Sequence, residues 1–578
     1  SDTAKILKKI PGANVNSNGP LTGIPVRRGQ SFSSGRVNVL VDGMYLAPAC
    51  ANYMDTPLSH ISPTEVESIE VTRGIAPVSS GIETFDGSIL VKSSKGHFGK
   101  KKLMPEFHGS ASAGVHSVSD TGFGHVTAYL SNKNNILRFK ATREDGDDIE
   151  FDGGEIHPTE FERDNYTIGY SFKYGNHEIG IDFKNIDIDD SGTPSLPMDL
   201  ISDEEDIFSV YYKGQLGMMN IDASFYDTDG DHLMDNYTLR HSKKRRFSVS
   251  DVKSNGYKLH FQLLPTEWLG WQFGFDVDTE EHNSVIRNPD DPTFFVINYH
   301  DASKDRYSVF TEWDIQFSEE FSAQLGFRFN HTEMDSDRGN STIALKNPFL
   351  RRITERFNST NRNRDDNEVD GVLKLSYQPI EELTLTLGIA QKTRTPLYQE
   401  RYLYVPLEST AGLADGKRYV GKVDLNPEIN HKIEFDISYE TERFYFRPNF
   451  FYSRIHDYIQ GVPAKDPDVI AFSTANGDPS PLQFENIAAK YYGFDGDWGI
   501  KLHKYLSLDG TFSYVRGKRR GSKEDNLYRI PPFNAINTLT FSKDKYKVSL
   551  ETVSYARQRK VSKFNQERRT AGYTYVNI

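Results

Sequence analysis

Cysteine is nearly missing from this chain of 578 residues: Cys50 stands alone, so no disulfide can form within the chain. Methionine is scarce too, at 8 residues. No apolar run reaches the roughly 18 residues of a helical membrane span. The mean hydropathy of −0.59 agrees, which excludes a helical membrane protein. It does not exclude a membrane barrel, whose alternating strands average out to a soluble-looking value. An excess of positive charge is also lacking. The net charge is −13, and an acidic chain repels the phosphate backbone, so no nucleic-acid partner is expected. Catalytic motifs are absent: there is no G-x-S-x-G, no H-E-x-x-H and no P-loop. Gly122-Phe123-Gly124 lacks the third glycine of a dinucleotide fingerprint. An enzyme is therefore not expected. No signal peptide precedes Ser1, and the chain reads as mature or trimmed.

Aromatic residues are abundant, with 31 Tyr and 37 Phe, a load that suits strands bearing aromatic girdles. From about residue 101 the chain becomes a series of two-residue alternations. Leu269, Trp271, Phe273, Phe275 and Val277 are interleaved with Gly270, Gln272, Gly274, Asp276 and Asp278. Phe321, Ala323, Leu325, Phe327 and Phe329 alternate with Ser322, Gln324, Gly326 and Arg328. A period of two gives one apolar and one polar face. Many runs reach the roughly 9–11 residues of a membrane strand, about twice the usual soluble length.

The punctuation alternates as well. Short turns are expected at Gly175-Asn176, Pro265-Thr266, Ser318-Glu319, Pro379-Ile380 and Ser542-Lys543. Long polar segments are expected to be external loops at 144–163, 187–206, 279–303, 334–366, 397–428 and 461–484. Short turns at one end and long loops at the other are the pattern of an outer-membrane barrel, here with roughly twenty strands. A propeller would need shorter strands and a repeat of about 40–50 residues, which the chain does not show. Residues 1–100 differ: they mix Gly, Pro and Ser with short apolar runs such as 37–41, and read as a small α/β domain ahead of a barrel at 101–578.

The first hundred residues resemble the plug of TonB-dependent outer-membrane receptors. The matching pieces are Ile24-Pro25-Val26-Arg27-Arg28-Gly29, Val39-Leu40-Val41-Asp42-Gly43, Val66-Glu67-Ser68-Ile69-Glu70-Val71-Thr72-Arg73-Gly74, and Phe85-Asp86-Gly87-Ser88-Ile89-Leu90-Val91. Barrel landmarks match too: Arg394-Thr395-Pro396, Leu425-Asn426-Pro427-Glu428, Tyr492-Gly493 and Pro531-Pro532-Phe533-Asn534. The resemblance implies an all-β transmembrane barrel of about 22 strands with an α/β plug inside. It also implies the outer membrane of a Gram-negative bacterium, its lipid and lipopolysaccharide, and energy from a TonB-ExbB-ExbD complex. The family begins with a TonB-binding segment and ends in a terminal aromatic. Neither is seen here, so both ends are expected to be trimmed, with about two strands missing.

Two short motifs carry the chemistry. Cys50 and Met54 form a C-x-x-x-M, whose members would share a face if the stretch were helical. His232 and Met234 form an H-x-M, whose members share a face in a strand. Thiolate and thioether favour Cu(I), and imidazole also binds copper. On spacing alone, Cys50 and Met54 read equally well as a buried apolar pair, and His232 with Met234 as an incidental neighbour pair. Taken together, the quartet resembles the copper-receptor subgroup of the family, as does Gly192-Thr193-Pro194-Ser195-Leu196-Pro197-Met198-Asp199. That resemblance implies a copper ion, Cu(I) favoured, held between plug and barrel, with a copper-carrying protein as a candidate partner. A receptor for an iron siderophore or cobalamin on the same scaffold is the alternative. Met44 and Met198 are candidate way stations or ordinary packing; His60 and His97 are expected to be structural. The acidic runs at 145–148, 187–190 and 203–206 are expected in external loops, as is the basic run Lys243-Lys244-Arg245-Arg246.

Overall fold

The computed structural model describes residues 2–30, 34–521 and 525–578. One antiparallel sheet of 23 strands closes into a barrel. Three of its members, at Asn340–Ser341, Leu407–Thr410 and Leu413–Val420, are short pieces at the rim. The others form the wall, each paired to its neighbour in hairpin order, with the strands Asn135–Gly146 and Phe161–Tyr174 joined across a small external hairpin at 149–156.

The wall is inverted relative to a water-soluble protein. Along Asn135–Gly146, Arg138, Lys140, Thr142 and Glu144 are buried, while Leu137 and Phe139 are nearly half exposed. The neighbouring strands repeat this, with Ile168, Tyr170, Phe172, Ile179, Ile181 and Phe183 all facing outward. An apolar belt of this extent is unfavourable in water and favourable in lipid, while the closed ladder leaves no edge in the hydrocarbon.

Strand length departs from the sequence reading. Expected loop 279–303 is a hairpin, because Leu269–Asn288 and Asp291–Gln316 run through it with a two-residue turn. The acidic run at 187–190 lies on the strand His177–Ser191, and 203–206 lies on Asp199–Leu216, so these are paired wall residues rather than loop residues. The run at 145–148 straddles the end of Asn135–Gly146. Backbone pairing continues past the lipid, where polar side chains cost nothing, so the polarity shift that marks the membrane boundary does not mark the end of a strand. Turns at 267–268, 381–382 and 544–545 each follow the expected position by about two residues for the same reason. The segments 334–366 and 461–484 do form loops, built on the helices Pro348–Ser359 and Pro467–Ala475.

Inside the barrel sits a three-stranded sheet in which Ser88–Ser93 lies between a parallel Asn38–Val41 and an antiparallel Val66–Thr72. A hairpin of Ala13–Ser17 with Gly23–Arg27 flanks it. The helical pieces of this unit are short 3-10 turns. Its contact with the wall combines apolar clusters with buried ion pairs. Arg28 reaches Asp495 at 2.7 Å and Glu434 at 2.6 Å; Lys432 meets Asp86 at 2.6 Å; Glu83 accepts from Lys304 and Arg306. These groups are buried and paired with opposite charge, as buried charges must be.

Candidate metal site between plug and barrel

The segment 50–55 is an irregular turn rather than a helix. The Tyr53 amide donates to the Cys50 carbonyl at 2.9 Å, and Tyr53 takes a left-handed φ of 61°. The Cys50 amide donates to Asp55 Oδ2 at 3.0 Å. The turn thus closes on itself, and this closure, not helical spacing, brings residues 50 and 54 together. External loops pin it: Gln399 Nε2 donates to the Ala51 carbonyl at 3.2 Å, and the Gly412 amide to the Asn52 carbonyl at 2.9 Å. On the wall, Gly230 packs beside the plug: a Cβ there would stand 3.0 Å from Val252 on the next strand, a tight contact, and 3.4 Å from the Cβ of Ala49, an ordinary one.

The strand Met219–Asp235 turns His232 and Met234 to the interior and leaves Asp231 outside. Met234 joins Cys50, Met54, Ile24 and Leu196 in one buried apolar cluster, with Met198 packed against it. The Cys50 thiol acts electrostatically on the His232 ring, whose Nδ1 lies 3.4 Å from Asp203 Oδ1. All four sequence-derived candidates therefore meet at one place. Met54 Sδ accepts a 3.2 Å hydrogen bond from Asn18 Nδ2, which orients one sulfur lone pair. Above the sulfurs opens a cavity of about 290 Å³ lined by Met54, Met198, Met234, Phe294 and Val405. Met44 lies elsewhere, in the plug core. His97 is exposed on the segment leading out of the plug.

Sequence reasoning missed the acidic side of this site. Asp55, Asp203 and His232 place ligand atoms within 4.8 Å of one another, all buried. His60 Nδ1 is 2.9 Å from Glu205 Oε2 and its Nε2 is 3.9 Å from Asp55 Oδ2. Burial alone would lower the His60 pKa, but Glu205 outweighs it and the group is pushed up to about 9. Asp55 is pushed up to about 6, by burial first and then by Asp203. The adjacency of Asp55 to Met54 was visible in the sequence. The partnership of His60 with Glu205 had no sequence signal, because the two come from plug and wall.

Residues 109–578 match the model described as "TonB dependent receptor-like, beta-barrel", and residues 1–88 match "TonB-dependent Receptor Plug Domain". Among solved structures, the copper transporter OprC superposes with a TM-score of 0.85 at 22% identity, covering 100% of this chain and 88% of that one. The FrpB iron transporter from Neisseria meningitidis gives 0.72 at 14% identity, covering 99% and 88%. The ferric yersiniabactin uptake receptor FyuA from Yersinia pestis gives 0.69 at 15% identity, covering 100% and 86%. No curated protein matches the sequence.

Proposed function

The chain belongs to the TonB-dependent receptor family of the Gram-negative outer membrane, and from that premise we propose that it is a copper importer. In this reading residues 1–100 are the plug and 101–578 the barrel. Copper, Cu(I) by preference, is the cargo held by Cys50, Met54, His232 and Met234. The observation that carries the reading is the meeting of three sulfurs in one buried cluster, with an imidazole beside the thiol. A thiolate, two thioethers and a nitrogen suit four-coordinate Cu(I) and are poor ligands for Mg, Ca or Mn. The copper transporter OprC, similar over the full chain, supports the same cargo.

The ligands come from both domains, so a bound ion ties plug to wall. Energy coupling through TonB acts on the plug, and a pull there separates Cys50 and Met54 from His232 and Met234. Copper promotes deprotonation of its own thiol ligand, and release without mechanical work is slow. The ion pairs of Arg28, Asp86 and Glu83 with the wall hold the rest of the plug in register while the sulfur turn moves.

A second reading is favoured by the 290 Å³ cavity above the sulfurs and by the iron-receptor neighbours: an iron chelate binds there. Metal analysis separates the two. The purified protein is loaded with Cu(I) beside its Cys50→Ala and His232→Ala variants. The importer reading expects about one copper per chain in the parent and loss in both variants. Equal copper in all three defeats it, and retention of an iron chelate independent of Cys50 supports the second reading.

A further inference from the structure

The sulfur pocket is the top of a graded ladder of donors. Along the paired strands Asp199–Leu216 and Met219–Asp235, Met234 stands opposite Leu200, His232 opposite Asp203, and Gly230 opposite Glu205. The short turn joining the strands lies at 217–218, so this order descends from the long-loop end toward the short-turn end. Each step of two residues is about 7 Å. Sulfur comes first, then nitrogen with carboxylate, then carboxylate with the His60 ring of the plug.

The middle step is charge-rich and poorly satisfied. Asp203 is 1% exposed and neither of its oxygens accepts a hydrogen bond; Asp55 Oδ1 is likewise buried without one. Both His232 nitrogens lack a well-formed hydrogen bond. Among the described residues, no Lys or Arg forms an ion pair with Asp55, Asp203 or Glu205; their ionic partners are the two histidines. Elsewhere between plug and wall, the buried carboxylates of Glu434, Asp495 and Asp86 are met by Arg or Lys. Buried carboxylates are retained when paired or when they coordinate metal.

We propose that Asp55, Asp203 and His232 form a second cation site, directly beneath the sulfur pocket, that takes a borderline divalent ion such as Zn(II) or Cu(II) through two oxygens and one nitrogen. The donor atoms lie within 4.8 Å of one another, near enough for small side-chain rotations to close them on one ion, and imidazole with carboxylate is a donor set for such metals. His232 belongs to both sets. An ion leaving the sulfurs therefore meets its next ligands without passing through water. Only this direction of traffic rests on the copper-importer reading; the site itself stands on its own geometry.

The test uses Zn(II) and the Cys50→Ala protein, in which the thiolate cannot compete for zinc. One Zn(II) per chain is expected by equilibrium dialysis. Adding Asp203→Asn, or separately Asp55→Asn, is expected to weaken it at least tenfold. Folding of each variant is checked by the faster migration of the unheated barrel in SDS electrophoresis. Absence of stoichiometric zinc in Cys50→Ala, or equal affinity with and without Asp203, overturns the proposal. Copper lost on Cys50→Ala bears on the importer reading alone, so the two ideas fail separately.

Discussion

Arg36 of the plug and Glu428 of the barrel face each other with no water between them. Arg36 Nη2 donates to Glu428 Oε1 at 2.6 Å and Nε to Oε2 at 2.9 Å, and both side chains are fully buried. Arg394 donates to the same carboxylate at 2.7 Å, and the Ile459 amide does so at 2.6 Å. One carboxylate therefore gathers two guanidiniums, one from each domain, and Tyr458 lies 4.3 Å beneath the Arg36 guanidinium.

Neutralising that carboxylate leaves buried positive charge uncompensated. Glu428→Gln is expected to destabilise plug docking by about 3–5 kcal/mol. The barrel keeps its ladder and stays folded. Limited proteolysis of the detergent-solubilised protein reads the difference: the plug of the variant is cut at lower protease concentration. Equal protection of the two proteins would show that this pair does not hold the domains together.

Met234→Leu keeps the volume of the side chain and removes a sulfur. The expected cost to packing is under about 1.5 kcal/mol, so the thermal midpoint changes little. Cu(I) affinity is expected to fall by at least tenfold as one of three soft donors is lost. A competition titration against a Cu(I) chelator measures it, and unchanged affinity would remove Met234 from the ligand set.

His60 carries a pH signature. Its pKa is raised to about 9 by Glu205, against the pull of burial, with Asp203 and Asp55 as further negative neighbours and the Lys184 ammonium on its carbonyl. A raised histidine pKa stabilises the folded state fully below about pH 6.5. That contribution is lost as pH rises through about 9. Calorimetry of the copper-free protein between pH 6 and pH 10 is expected to show a gap between the parent and His60→Gln that closes above pH 9. A gap of constant size would contradict the pairing.

The outward belt predicts a depth-dependent penalty. Ile168 is 55% exposed near the middle of the strand Phe161–Tyr174. Ile168→Arg is expected to cost about 2–4 kcal/mol of folding free energy in a bilayer. Denaturant titration in lipid vesicles checks this; a neutral result would mean that this face does not meet lipid.

The sequence by itself determined the barrel. Alternation with period two is a local property of each strand, and the inside-out pattern repeats from one strand to the next, as in Arg138 and Lys140 against Leu137 and Phe139. It likewise put His232 and Met234 on one face, because residues i and i+2 of a strand must share it. Strand ends were not legible, since hydrogen-bonded pairing continues beyond the lipid where polarity no longer reports on it. The assembly of the site was decided by tertiary structure alone. A closed turn, not a helix, joins Cys50 to Met54. The register between Asp203 and His232, and the arrival of Asp55 and His60 from the plug, arise only when distant segments are packed into one cylinder. No spacing rule along the chain encodes contacts of that kind, because they depend on how the domain is seated and not on any local period.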